Sequence, residues 1–125
     1  MRQRLRAALP EAMRARDRAA VAALRSTLAA IDNAEAVAVK SSGGQGLAIE
    51  QTPLGVGAAE VERRVLTDAQ VEDIVRTEVA EREAAARDYD RAGQRQRAEL
   101  LQSEIGVLSA HLAAHGGFPQ QARSR

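Results

Sequence analysis

Val21, Leu24, Leu28 and Ile31 follow one another at spacings of three, four and three residues, and Ala34 and Ala38 continue the stripe. An α-helix returns side chains to one face at that interval, so this segment is committed to a helix with one buried face. The rhythm recurs at Leu5, Leu9, Ala12 and Met13, at Val71, Ile74, Val75 and Val79, and at Leu101, Ile105, Leu108 and Leu112. Four such segments in 125 residues predict one all-α domain, an elongated bundle of about four helices. The packing must be close. Tyr89 and Phe118 are the only aromatic residues, so burial falls to Leu, Val, Ile and Ala, whose small side chains let helix axes approach.

Local signals set the boundaries. The first helix is expected from about Arg2 to Arg16, with Pro10 inside the stripe. Either the helix begins near Pro10, where a proline is tolerated in the first turn, or a longer helix kinks there. Asp17 is placed to cap a second helix that runs to about Val39. Thr67-Asp68-Ala69-Gln70 fits a capping box opening the third helix, and Gly93 supplies its left-handed stop. The last helix spans about Arg95 to Ala114 and ends at Gly116-Gly117. Between helices two and three, residues 41–66 form a long loop or insert holding five of the nine glycines, with a short helical turn over 60–65. The helical domain is expected over 1–115, followed by a flexible tail over 116–125.

Several chemistries are excluded or weak. The absence of cysteine removes disulfides, thiolate nucleophiles and Cys-based zinc sites. No apolar run is long enough to span a bilayer, and the basic start lacks the apolar core of a signal peptide, so a cytoplasmic protein without a membrane partner is expected. Lys40-Ser41-Ser42 resembles the residue types of amidase nucleophiles, but three consecutive residues at a helix end build no preorganised pocket. His111 and His115 stand at the i, i+4 spacing of metal ligands, yet no third ligand is identifiable. Gly43-Gly44-Gln45-Gly46 lacks both the preceding strand and the following Gly-Lys-Ser/Thr of a phosphate loop. The carboxylates Glu78, Glu81, Glu83, Asp88 and Asp90 alternate with Arg82, Arg87 and Arg91 at three- and four-residue spacings, which marks a solvated helix face. No catalytic residue, metal or cofactor is expected.

Charge is the remaining lead. Residues 1–25 carry seven arginines against Glu11 and Asp17, whereas residues 60–104 carry twelve acids against eight arginines. Arg14, Arg18 and Arg25 are the candidate nucleic-acid contacts, because spaced guanidinium groups neutralise phosphates and release counterions. The alternative is that the basic front pairs with the acidic third helix. No aromatic residue is near to stack bases, which argues against sequence-specific RNA reading.

Four stretches carry a family resemblance: Leu9–Asp17, Leu24–Glu35, Leu66–Gly93 and Glu99–Leu112. Their pattern is Leu-Thr-Asp, a long helix with Glu78-x-x-x-Arg82-Glu83, then Tyr89-x-x-Ala92-Gly93, and a final Leu-rich helix. In this order they resemble the YqeY family, whose domain is shared with the C-terminal part of the glutamyl/aspartyl-tRNA amidotransferase B subunit. The resemblance covers the first helical half of that unit, without the proline-containing linker and second small bundle. It implies an accessory or RNA-associated role around tRNA-dependent amidation, filed with the carbon–nitrogen ligases that take glutamine as amido donor. The partner implied is tRNA or a tRNA-amidation complex. The rival expectation is a helical interaction module that forms a homodimer or docks to a helical protein partner through its Ala/Leu/Val stripe.

Overall fold

The computed structural model describes residues 1–45 and 66–116. These residues form four helices, α1 (Arg2–Arg14), α2 (Arg18–Gln45), α3 (Asp68–Arg91) and α4 (Arg95–Gly116), with no strand among them. The all-α bundle read from the periodicity is the fold observed.

Two tight corners turn the chain back on itself, and both end a helix with the same motif. After α1, the Arg16 amide donates to the Met13 carbonyl at 3.1 Å and the Asp17 amide to the Ala12 carbonyl at 3.0 Å. After α3, the Gly93 amide donates to the Asp90 carbonyl at 3.0 Å and the Gln94 amide to the Tyr89 carbonyl at 2.8 Å. This pair of bonds is the Schellman closure, which satisfies the last helical carbonyls by placing one residue in the left-handed region. Gly93 takes that position with φ 78°, as its sequence context predicts, and Arg16 takes it with φ 57°. Asp17 then serves a second purpose: its carboxylate accepts the Ala20 amide at 3.1 Å and caps α2. Thr67 and Gln70 form the expected reciprocal capping box at the start of α3.

Two boundaries differ from expectation. α1 stops at Arg14 because Arg16 leaves the helical region, and it passes through Pro10 as one helix. Pro10 is exposed, so the carbonyl it leaves without an amide partner faces the wet side. α2 runs to Gln45, past Val39 and through Gly43-Gly44, where a loop was expected from residue 41. Adding a residue to an existing helix requires no new nucleus, so a helix this long tolerates weak formers at its end. The rest of the expected insert, 46–65, and the tail from 117 lie outside the described residues.

The core collects Leu5 and Ala12 from α1, Ala20, Ala23, Leu24 and Ile31 from α2, Val71 and Val75 from α3, and Leu108 from α4. Leu5, Ile31, Val75 and Leu108 have no exposed surface, and each such side chain contributes about 1.5–3 kcal/mol on burial. Alanine makes up much of what is buried, including Ala86 and Ala98 where α3 meets α4. Salt bridges run between the antiparallel α1 and α2: Arg2 meets Glu35 at 2.6 Å and Arg6 meets Asp32 at 4.0 Å.

Candidate nucleic-acid interface

The arginine-rich front divides into two groups with different surroundings. Arg2 and Arg6 are engaged by Glu35 and Asp32 of α2. Arg4 lies close enough to His111 of α4 for its charge to act on that imidazole. Arg14, Arg16, Arg18 and Arg25 take part in no ion pair among the described residues. The acidic third helix is not their partner: Glu72 and Asp73 pair with Arg76, and Asp88 pairs with Arg91, all within α3. Of the helix face expected to be solvated and laced with local ion pairs, Asp88 and Arg91 pair in the open as expected, whereas Glu78 and Arg82 are largely buried.

Three of the four remaining arginines share one place. Arg16, Arg18 and Arg25 line an open groove of about 480 Å³ at the α1–α2 corner, together with Met13, Val21 and Ala22. Arg18, Val21, Ala22 and Arg25 stand at i, i+3, i+4 and i+7, a single helical face. About 10 Å of helix axis separates Arg18 from Arg25, with the two apolar residues between them. Met13, on the α1 side, is 48% exposed although it is a large apolar residue. Of the sequence candidates, Arg18 and Arg25 line this groove, whereas Arg14 is exposed and does not line it. Arg16 replaces it. No helical period could have found Arg16, because it sits in the turn; the i, i+7 spacing of Arg18 and Arg25 was readable.

Arg82 is a largely buried charge, with 12% of its side chain exposed. Its Nε donates to Glu104 Oε1 on α4 at 2.8 Å, and one terminal nitrogen donates to Glu78 Oε1 at 2.8 Å and the Glu78 carbonyl at 3.0 Å. The other terminal nitrogen donates to the Ser26 hydroxyl on α2. Burial alone would lower the Arg82 pKa, but the hydrogen bonds and charges of Glu78 and Glu104 outweigh it and raise the pKa above the ordinary arginine value. The guanidinium is a joint between three helices, with four of its five donors engaged by them. The residues that carry the family resemblance thus have structural duties here: Thr67 caps, Glu78 and Arg82 pair, and Gly93 closes the helix.

A second, shallower depression of about 320 Å³ lies between the C-terminal end of α3 and the N-terminal end of α4, lined by Tyr89, Arg97, Leu100, Leu101 and Glu104. The Arg97 guanidinium lies 5.7 Å from the centroid of the Tyr89 ring, within cation–π range. Leu100 is 52% exposed beside it.

His111 and His115 both fall on α4. Burial, and secondarily the charge of Arg4, holds His111 below the usual histidine pKa. Among the described residues no group of three or more His, Asp or Glu side chains is placed to hold a metal ion. No described helix is long and apolar enough to cross a membrane. Lys40, Ser41 and Ser42 are consecutive residues of α2. No protein-family model matches the chain, and no curated protein or solved structure matches it significantly.

Proposed function

We propose that the chain is a cytoplasmic, non-catalytic accessory domain that holds RNA at the α1–α2 corner. The resemblance to the YqeY family makes a tRNA in tRNA-dependent amidation the RNA of choice. The observation that carries this reading is the groove itself. Three guanidinium groups line one concavity and none of them is neutralised by a carboxylate of the described residues. Among the described residues Arg2, Arg6, Arg76, Arg82 and Arg91 pair with carboxylates, whereas Arg16, Arg18 and Arg25 share the groove without such a pair. Guanidinium groups bind phosphate oxygens through charge-assisted, bidentate hydrogen bonds, and each phosphate so neutralised releases counterions.

Filter binding of unfractionated tRNA to the full chain tests the reading. Three phosphate contacts give a slope of log K against log salt of about −2 to −3. Each of Arg16→Gln, Arg18→Gln and Arg25→Gln lowers affinity and flattens the slope by about one. Arg14→Gln, outside the groove, changes both less. Absence of tRNA retention by the native chain at low salt refutes the proposal.

The competing reading is a homodimer or a helical protein partner docked at the tip of α3 and α4, favoured by the exposed Leu100 beside Tyr89. Sedimentation separates the two. A dimer abolished by Leu100→Glu supports the module; a monomer with no protein partner counts against it.

A further inference from the structure

The groove is more than a ring of charge: its floor is apolar. Met13, Val21 and Ala22 lie among Arg16, Arg18 and Arg25, and Met13 is held half in solvent where a polar residue would be easier to accommodate. A duplex has little use for such a floor. It presents phosphates and sugars outward and keeps its base faces stacked, so apolar side chains among the arginines would gain nothing from it. An unpaired nucleotide is different, because its base has an exposed flat face that an apolar surface can cover.

We propose that the groove receives single-stranded RNA, with one unstacked base lying on Met13, Val21 and Ala22 while Arg16, Arg18 and Arg25 hold the phosphates beside it. This inference rests on the RNA reading above and narrows it from RNA in general to an unpaired segment. The geometry is suited to the task. Arg18 and Arg25 stand at either end of the Val21–Ala22 step on one helical face. The polarizable thioether of Met13 makes favourable contact with an aromatic ring, and a guanidinium plane stacks on a base. Among the described residues the groove lining offers no carboxylate, amide or hydroxyl side chain, and its arginines are taken up by the phosphates. Binding is accordingly tolerant of sequence, as it is wherever stacking and charge replace hydrogen-bond readout.

The Arg16 backbone gives a second, independent indication. A non-glycine residue in the left-handed region carries strain, and such strain concentrates at sites where side-chain identity serves function. Glycine would close the corner without strain, as it does at position 93. A guanidinium at the groove rim is what glycine cannot provide.

The test is fluorescence anisotropy on the full chain at low salt with three labelled ligands. These are a mixed-sequence single-stranded RNA of about twelve nucleotides, a duplex of the same length, and the single strand with its central nucleotides abasic. The single strand is expected to bind roughly tenfold more tightly than the duplex, and the abasic strand to lose about fivefold. Met13→Ala, at an exposed position, should weaken the intact single strand about threefold and leave the abasic strand unchanged. Arg18→Gln should weaken all three ligands. Equal or tighter binding of the duplex, or equal binding of the abasic strand, overturns the base contact while leaving the RNA reading in place. If no RNA binds the native chain, both fall. Displacement of RNA by polyglutamate of matching charge as effectively as by unlabelled RNA also overturns the proposal, in favour of an acidic protein segment.

Discussion

Arg16 and Gly93 occupy the same position of the same helix-ending motif, one at each corner of the bundle, with φ 57° and 78°. An L-residue with a side chain in this region is strained by about 1–2 kcal/mol, whereas glycine is not. Arg16→Gly should therefore stabilise the fold by about 0.5–1 kcal/mol, after allowing for the greater freedom of glycine in the unfolded chain. Gly93→Ala should cost about 1 kcal/mol from backbone strain alone, because a Cβ there meets nothing within 4 Å. Urea unfolding of both variants measures this. A destabilised Arg16→Gly would show that the guanidinium holds the corner together.

Removing Arg82 should be the most damaging single charge change in the molecule. Arg82→Met leaves Glu78 and Glu104 facing each other with 16% and 15% of their side chains exposed, and the expected loss is about 3 kcal/mol. Replacing all three residues by Met, Leu and Leu should restore most of it, since an apolar cluster requires no desolvation of charge. Chemical denaturation of the single and triple variants decides the matter; a mild single variant would make the Arg82 network ornamental.

Thr27 is fully buried and its hydroxyl has no hydrogen-bond partner among the described residues. Valine has the same shape and a similar helix propensity without the polar atom. Thr27→Val should thus raise stability by about 1 kcal/mol, seen as an increase in Tm of about 4 °C. A lower Tm would mean that the hydroxyl is satisfied in solution.

His111 on α4 should make stability sensitive to acid. Its folded pKa lies below the ordinary 6.5, through burial first and the charge of Arg4 second. As pH falls through about 6.5 the unfolded chain takes up a proton that the folded chain refuses. Stability is therefore full above that value and declines as pH falls towards the lower folded pKa. Thermal unfolding between about pH 5 and 7.5 should show this decline, His111→Gln should flatten it, and Arg4→Gln should reduce it. A native profile no steeper than that of His111→Gln would be incompatible with the shift.

The fold was legible because its signals are local. The Val21–Ile31 stripe, the Thr67 capping box, Asp17 and Gly93 each act within one or two helical turns, and each does in the structure what its neighbours in sequence imply. The extension of α2 to Gln45 was hidden by Gly43 and Gly44, whose propensities favour a loop but do not forbid a helix already under way. The groove was half legible. Arg18 and Arg25 share a face by periodicity, whereas Arg16 depends on a left-handed turn that normally announces itself by glycine. The partition of the arginines was not legible at all. Whether Arg2 finds Glu35 or an acid of α3 depends on how helices pack across more than thirty residues of chain, and spacing within one helix carries no information about that.

The alanines at the helix contacts imply an uneven tolerance to mutation. In a core filled by large side chains the common injury is a cavity, and neighbours relax partly into it. Ala20, Ala23, Ala86 and Ala98 have almost nothing to lose, so the vulnerable direction is growth: one added methyl or isopropyl group drives two backbones apart along a whole contact. Variation in related sequences at these four positions should therefore run to glycine and serine, and seldom to valine or leucine.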